Sequence, residues 1–509
     1  MGIIPLSTHF VKLFTYLIVY NGLGNAYKKR NLCYNVSIEN TIKEISHMNI
    51  ILQNYKNLIN NLIKTYFTDK IDNIISTFDE SGSINNYVNL LSTFDYNMSK
   101  FMCNALKNIL EEFDKNYCNS LERKRKYHIK YKTSRTILTI FGEITYFRYF
   151  YKSKVNNKCY CYVDRLLGLK KYDYFDPYIK AEILDYVSNN NYSETADHIN
   201  SLIGNRVSIN EKEKYLSRQT VRNVILNENL SKPKINKLDD TQEIYIISDE
   251  KWIPTQNNDH KKVMQKSIVI FDGFNKIGKR RSLNNKMTFS GRNDDFIYDA
   301  IDYIENAYDT SKINKFYMLG DGALWIKNLK YYFNYNSNIE IIQALDKYHF
   351  KQNIWRTLPD KSVYNVLSEY IISDNKEEYK RLIREIIDLY PNRSEKIEEY
   401  KNYILNNWNN IQNLYKYNLS CPMESQISHT FASYFTSRPK AYDKNTIDKL
   451  INLRLLKKNK YNIKKLFFNN INTNVIIDLN KDNLNFSMFD SKNTYTILSS
   501  AKRKHFIGF

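Results

Sequence analysis

The sequence predicts an α/β catalytic core, interrupted by an all-α insertion and preceded by a helical region with a β-hairpin and a helix-turn-helix. Three observations predict it. Short apolar runs of strand length lie at 244–248, 267–271, 315–320 and 339–345, with an amphipathic helical stripe at 294–308 between the second and third. Three of those runs stop at an aspartate: Asp249, Asp321 and Asp346. Residues 350–420 then return to charged, helical periodicity with no strand signal.

Composition sets the bounds. A chain of 509 residues, 42% apolar and 25% charged, has the make-up of a soluble globular protein of two to four structural units. Gly (13) and Pro (8) are scarce, so long elements and few flexible linkers are expected. Asn, Lys, Ile, Tyr and Phe share AT-rich codons, so the 43 tyrosines alone are no sign of base stacking. The net charge of +21 attracts polyanions, nucleic acid first among them; the bland alternative is a Lys-rich surface. Cys33, Cys103, Cys118, Cys159, Cys161 and Cys421 form no CxxC pair, and Cys159 and Cys161 stand too close for zinc, so reduced thiols in a cytoplasmic, nucleoid-associated protein are expected. The apolar run at 10–20 is too short to cross a membrane and reads as a buried helix or an upstream extension of the true start; no membrane partner is expected.

Taken in order, residues 1–120 read as an N-terminal helical region, with Ile51, Leu52, Tyr55, Leu58, Ile59 and Leu62 at helical spacing. Residues 121–235 form the expected DNA-binding region. Its basic cluster is Arg123, Lys124, Arg125, Lys126, Lys130, Lys132 and Arg135, leading into an alternating stretch centred on Gly142 and Glu143 that reads as a β-hairpin. That hairpin either lies on DNA or caps the next domain. Helices are expected at 178–187, at 193–199 with Ser193 as N-cap, and at 217–225 with Ser217 as N-cap. The last would present Arg218, Gln219 and Arg222 outward, as a recognition helix does. The polar stretch 229–242 marks the clearest boundary. Strands ending at Asp249, over 267–271, starting near Arg280, ending at Asp321 and ending at Asp346 give β-β-β-α-β-α-β over 240–349, an order that resembles the ribonuclease-H-like fold. Segment 421–456 returns a helix around Glu424, and 457–509 reads as a basic, irregular tail.

Phosphoryl transfer on DNA uses hard cations about 3.5–4 Å apart held by carboxylates. Aspartates at the ends of neighbouring strands, joined by a helix-borne carboxylate, suit Mg²⁺ or Mn²⁺. Asp249, Asp321 and Glu424 fit that requirement by position, although Asp is also a good cap for a strand-to-helix turn. Gly322 and Ala323 would let a substrate backbone approach.

Several motifs carry a family resemblance. LGDGALWIK (319–327), LDKYHFKQN (345–353), ESQISH (424–429), TSRP (436–439), SDEKW (248–252) and RxxxTxFGEITYxR (135–148) resemble the bacterial insertion-sequence transposases of the ISLre type, a group known in part as an uncharacterised protein family. The resemblance spans roughly 120–456. It implies a DDE transposase that cleaves and joins the DNA ends of an insertion sequence, with Asp249, Asp321 and Glu424 as catalytic metal ligands for two Mg²⁺ or Mn²⁺ ions. The spacings are 72 and 103 residues, the second lengthened by the helical insertion. Asp346 and His349 resemble the Cys/Asp-x-x-His motif of Mutator-like and hAT-like transposases and imply a site-supporting pair; the alternative is an N-cap beside a core histidine. The implied partners are double-stranded terminal repeats and target DNA, bound by a homo-oligomer. A second class, a transposase-derived DNA-binding protein without chemistry, stays open. A structural phage protein is disfavoured, since it would not need the three carboxylates together.

Overall fold

The computed structural model describes residues 56–57, 60–61, 84–207, 215–256, 262–278, 280–334, 338–358, 362–436 and 441–473. The helix expected at 10–20, most of the stripe around residues 51–62, Cys33, residues 437–439 of the TSRP motif and the tail from 474 lie outside them. Contacts divide the chain into two compact units, Met1–Asn97 and Met98–Phe509. Apart from the first residues of α1, the elements below belong to the second.

Helix α1 (Ile84–Asn119) and the short α2 (Leu121–Lys126) lead into β1 (Tyr127–Thr139), which pairs antiparallel with β2 (Gly142–Ser153); β3 (Cys159–Cys161) adds to the other edge of β2. The hairpin is therefore present and longer than its alternating stretch. Leu110 of α1 packs on Ile137, Ile144 and Tyr146, so one face of the hairpin is buried. Glu111 and Asp114 accept the amides of Phe147 and Tyr149, which satisfies part of the β2 edge that β3 does not reach. After α3 (Tyr162–Leu166) come α4 (Pro177–Val187), α5 (Tyr192–Val207) and α6 (Arg218–Asn227). Ser217 caps α6 through a reciprocal capping box with Thr220, as expected. The cap of α5 is Asn191 rather than Ser193: Asn191 Oδ1 accepts the Glu194 amide and Glu194 Oε2 accepts the Asn191 amide. The Asn–x–x–Glu spacing outcompetes a serine two positions further in.

The main sheet contains β4 (Glu243–Pro254), β5 (Lys262–Phe271), β8 (Met287–Gly291), β9 (Lys315–Gly320) and β10 (Glu340–Leu345) in the spatial order β10-β9-β4-β5-β8. β5 is antiparallel to β4 and β8, whereas β9 and β10 run parallel to β4. Helices α7 (Asp295–Ala307) and α8 (Leu324–Phe333) make the crossovers that the parallel pairs require. The sequence of β4 reads as a continuous apolar run because both of its faces are covered. Ile244 and Ile246 join one core with α7 and α8; Ile247 and Ile253 join a second core with α4, α5 and α6. The third sheet strand is Met287–Gly291. Arg280–Leu283 (β7) instead pairs with β6 (Phe274–Ile277) in a separate two-stranded ribbon.

Helices α9 (Lys347–Thr357), α10 (Val363–Ile372), α11 (Lys376–Leu389), α12 (Ser394–Asn406) and α13 (Trp408–Lys416) follow, and these pack around their own core. The segment expected as a single final helix is broken. α14 (Met423–Ile427) runs into a π-helix over Ser428–Thr436, and α15 (Lys444–Lys458) follows. The tail does not begin at 457: residues 463–473 are helical, and Ile463, Leu466 and Phe467 are buried in the second core. Their spacing is an apolar helical stripe that the surrounding lysines disguise. Among the described residues no helix is long and apolar enough to cross a membrane.

Candidate metal centre

Three strands and one helix deliver the acidic residues. The β4–β9 ladder ends at the Ile247–Leu319 pair, and Asp249 lies just beyond it. Asp249 does not end its strand, because β4 continues against β5 with Asp249 opposite Ser267. Gly320 closes β9 where a Cβ would stand 2.9 Å from the Ser248 carbonyl, so only glycine lets the two backbones approach so closely beside the acids. Asp321 follows; its Oδ1 accepts the Ala323 amide at 2.9 Å, and the Tyr403 hydroxyl of the helical block donates to its carbonyl at 2.8 Å. Gly322 takes φ +88°, with Asn407 and Leu345 beside it, so the turn and local packing account for this glycine rather than an approaching substrate.

At the end of β10 the Asp346 amide donates to the Gly320 carbonyl at 2.7 Å. The Asp346 carboxylate caps α9 through the Tyr348 amide at 3.1 Å. One turn on, His349 Nε2 lies 3.8 Å from Asp346 Oδ2. Glu424 sits in the first turn of α14, exposed, flanked by Met423 and Ile427, whose burial fixes that helix against the core.

Asp249, His349 and Glu424 converge: each offers a ligand atom within 4.8 Å of the others. The grouping expected was Asp249, Asp321 and Glu424. Asp321 stands outside the trio, yet near enough for its charge to act on both Asp249 and Asp346. Burial pushes the Asp249 carboxyl up to about 6, and repulsion from Asp321 and Glu424 adds to this; the Glu250 amide and His349 oppose it. Asp346 is also raised, first by burial and then by Glu424 and Asp321. Burial drives the neighbouring Cys421 thiol far up, so it is a protonated thiol. Among the described residues no Lys or Arg forms an ion pair with Asp249, Asp321, Asp346 or Glu424. A buried carboxylate at Asp249, the exposed carboxylate of Glu424 and a half-buried imidazole, with no Lys or Arg paired to them, could hold a metal ion. The sequence places His349 behind the site, whereas the structure makes it a member of the trio. The signal was there in the aspartate-to-histidine spacing of three at a helix start, which puts both side chains on one face.

The expected DNA-contact residues divide. Arg218 and Gln219 are exposed on α6 and Arg222 is half-buried, while Val221, Val224 and Ile225 face the core. Lys124 and Arg125 are exposed. Arg123 instead donates from Nε, at 2.7 Å, and from Nη2 to the Cys118 carbonyl at the end of α1, and Lys126 pairs with Glu122 at 3.1 Å. The motif arginines Arg135 and Arg148 are buried and share Asp164 Oδ2 at 2.6 and 3.1 Å, so they hold the hairpin to the chain that follows.

A family model described as "Uncharacterised protein family (UPF0236)" matches residues 84–469. Similar proteins occur in Caldanaerobacter subterraneus subsp. tengcongensis. One UPF0236 protein is 27% identical over 82% of this chain and 81% of its own length; another is 28% identical over 81% and 84%. A third, 27% identical over 81% and 84%, bears a name that joins eleven locus designations.

Proposed function

We propose that this chain, which belongs to the uncharacterised protein family UPF0236, is a DDE transposase that cleaves and joins the DNA ends of an insertion sequence with the help of divalent metal ions. The observation that carries the reading is the meeting of Asp249, His349 and Glu424 beside Asp321: the two aspartates come from adjacent parallel strands, His349 from the first turn of α9 and Glu424 from a helix beyond the helical block. In sequence order the sheet runs 5-4-1-2-3, with strand 2 antiparallel to its neighbours. That order resembles the ribonuclease-H-like fold and supports assigning the core to it. The net charge of +21 and the exposed Arg218 and Gln219 suit a DNA partner. The eleven locus designations of one relative also fit, since an element that moves leaves copies of its gene at many places in one genome.

Asp249, Glu424 and His349 would hold one ion, and Asp321, with Asp249, would reach a second. Mg²⁺ or Mn²⁺, when bound, would activate a water or 3′-hydroxyl and neutralise charge at the leaving oxygen. The chain itself fixes the ligands: Asp346 orients His349 while capping α9, and Tyr403 anchors the backbone of Asp321. The second reading, a transposase-derived DNA-binding protein without chemistry, draws on Asp321 lying outside the trio with one oxygen engaged by the Ala323 amide. A plasmid carrying the element's ends separates the two. The wild-type chain should yield excision or joining products, and Asp321→Asn should yield none while binding the ends as tightly. An active Asp321→Asn chain removes that residue from the metal site, and a wild-type chain that binds the ends but cuts nothing supports the second reading.

A further inference from the structure

Glu424 reaches the cluster from an unusual support. After five residues of α-helix its segment becomes a nine-residue π-helix, Ser428–Thr436. π-Helices are normally single-turn interruptions, so one of this length needs help from outside its own backbone. Arg454 of α15 provides that help. It is 6% exposed, and among the described residues it faces no carboxylate.

All of its donors go instead to neutral oxygens. Nε donates to the Thr430 carbonyl, and Nη2 donates to the His429 carbonyl at 2.9 Å and to Ser433 Oγ at 3.0 Å. Nη1 donates to the Ser188 carbonyl at 3.1 Å and to Asn189 Oδ1 at 3.5 Å. The guanidinium carbon lies 4.9 Å from the centre of the Tyr434 ring. The Tyr434 hydroxyl in turn donates to the carbonyls of Val187, at 3.2 Å, and Asn190, at 2.8 Å. One side chain thus ties the π-helix to the end of α4 and to α15. Only a planar fork with five N–H groups can serve so many acceptors at once.

We infer that Arg454 is the positioning residue for Glu424. It holds the π-helix in its wide register, and the helix that precedes it follows that register. If the nine residues relaxed to i+4 bonding, the preceding turn would rotate about its axis and carry the Glu424 carboxylate away from Asp249 and His349. A methionine at 454 fills the volume but accepts and donates nothing to those carbonyls. A lysine keeps the charge but has only three donors on one nitrogen.

The inference rests on the metal-centre reading and is tested with Mn²⁺ alone on the full chain. Free Mn²⁺ is counted by electron paramagnetic resonance at a temperature where circular dichroism shows each variant folded. Arg454→Met should weaken Mn²⁺ binding tenfold or more, and Arg454→Lys should fall between it and the wild type. Glu424→Gln should weaken binding as well, and adding Arg454→Met to it should cause no further loss, because both changes remove the same ligand. An arginine that served packing alone would lower the melting temperature and leave the affinity of the folded chain unchanged. A folded Arg454→Met or Arg454→Lys chain with wild-type affinity overturns the inference, as does a double variant whose losses multiply. A wild-type chain that binds no Mn²⁺ overturns the metal-centre reading itself.

Discussion

At the scale of single residues, the cluster costs the metal-free chain stability. The Asp249 carboxyl, 8% exposed, titrates near 6, against about 3.9 in an unfolded chain. A folded-state pKa raised above the unfolded value means that the folded chain holds the proton more tightly. The contribution of this carboxyl to stability is then fully present below about pH 4, is lost as pH rises toward 6, and stays absent above it. Asp249→Asn should therefore stabilise the metal-free protein at pH 7.5 by on the order of 1–3 kcal/mol and flatten its stability between pH 4 and 6, as read by denaturant melts. Added Mn²⁺ should raise the melting temperature of the wild type and leave that of the variant unmoved. A destabilised Asp249→Asn chain would contradict the electrostatic account. His349→Ala should lower cleavage by orders of magnitude with little change in melting temperature; near-full activity would return His349 to a structural role. Sequence made the acids legible because three of them follow apolar runs. It could not show that His349, rather than Asp321, meets both Asp249 and Glu424. That choice depends on the Ala323 amide holding Asp321 and on the turn of α9, neither of which leaves a mark in composition.

At the scale of elements, the proposed function gives the hairpin and α6 separable roles. Asp164 is shared by two buried guanidinium groups, Arg135 and Arg148. Its loss would leave both charges uncompensated, so Asp164→Ala should cost about 3–5 kcal/mol in chemical denaturation; a change below about 1 kcal/mol would mean that the groups find water. The opposite face of the hairpin is exposed. Lys132 lies 5.3 Å from the centre of the Phe147 ring and 5.5 Å from that of Tyr149, and Phe147 is 49% exposed. On α6, Gln219→Ala should relax sequence preference at the element's ends, whereas Lys132→Ala should weaken binding to all DNA alike and lessen its salt dependence. Equal effects of the two changes on specific and random duplexes would refute the division. The hairpin and three helices were readable from alternation and caps. The strand Met287–Gly291 was not, because it is only half-buried and polar at Thr288 and Ser290, while Arg280–Leu283 mimicked it in a ribbon of its own.

At the scale of the whole molecule, the helices around α6 do not form a separate body. Ile179, Ile183, Ile199 and Val221 share one core with Ile247 of the sheet, Met423 and Ile427 of α14, and Leu450 and Ile451 of α15. The polar stretch at 229–242 that reads as a linker therefore joins parts of one core, and a fragment ending near 235 should aggregate or remain unfolded. The most direct measurement of the central claim uses the purified full chain with a duplex spanning the junction between an element end and its flank. Mg²⁺ is titrated in and the products are mapped at single-nucleotide resolution. The account predicts ion-dependent cleavage that leaves a 3′-hydroxyl at the element end, abolished by Asp249→Asn and by Glu424→Gln without loss of binding. Cleavage that persists in either variant, or a bound junction left intact by the wild type in both Mg²⁺ and Mn²⁺, would contradict it.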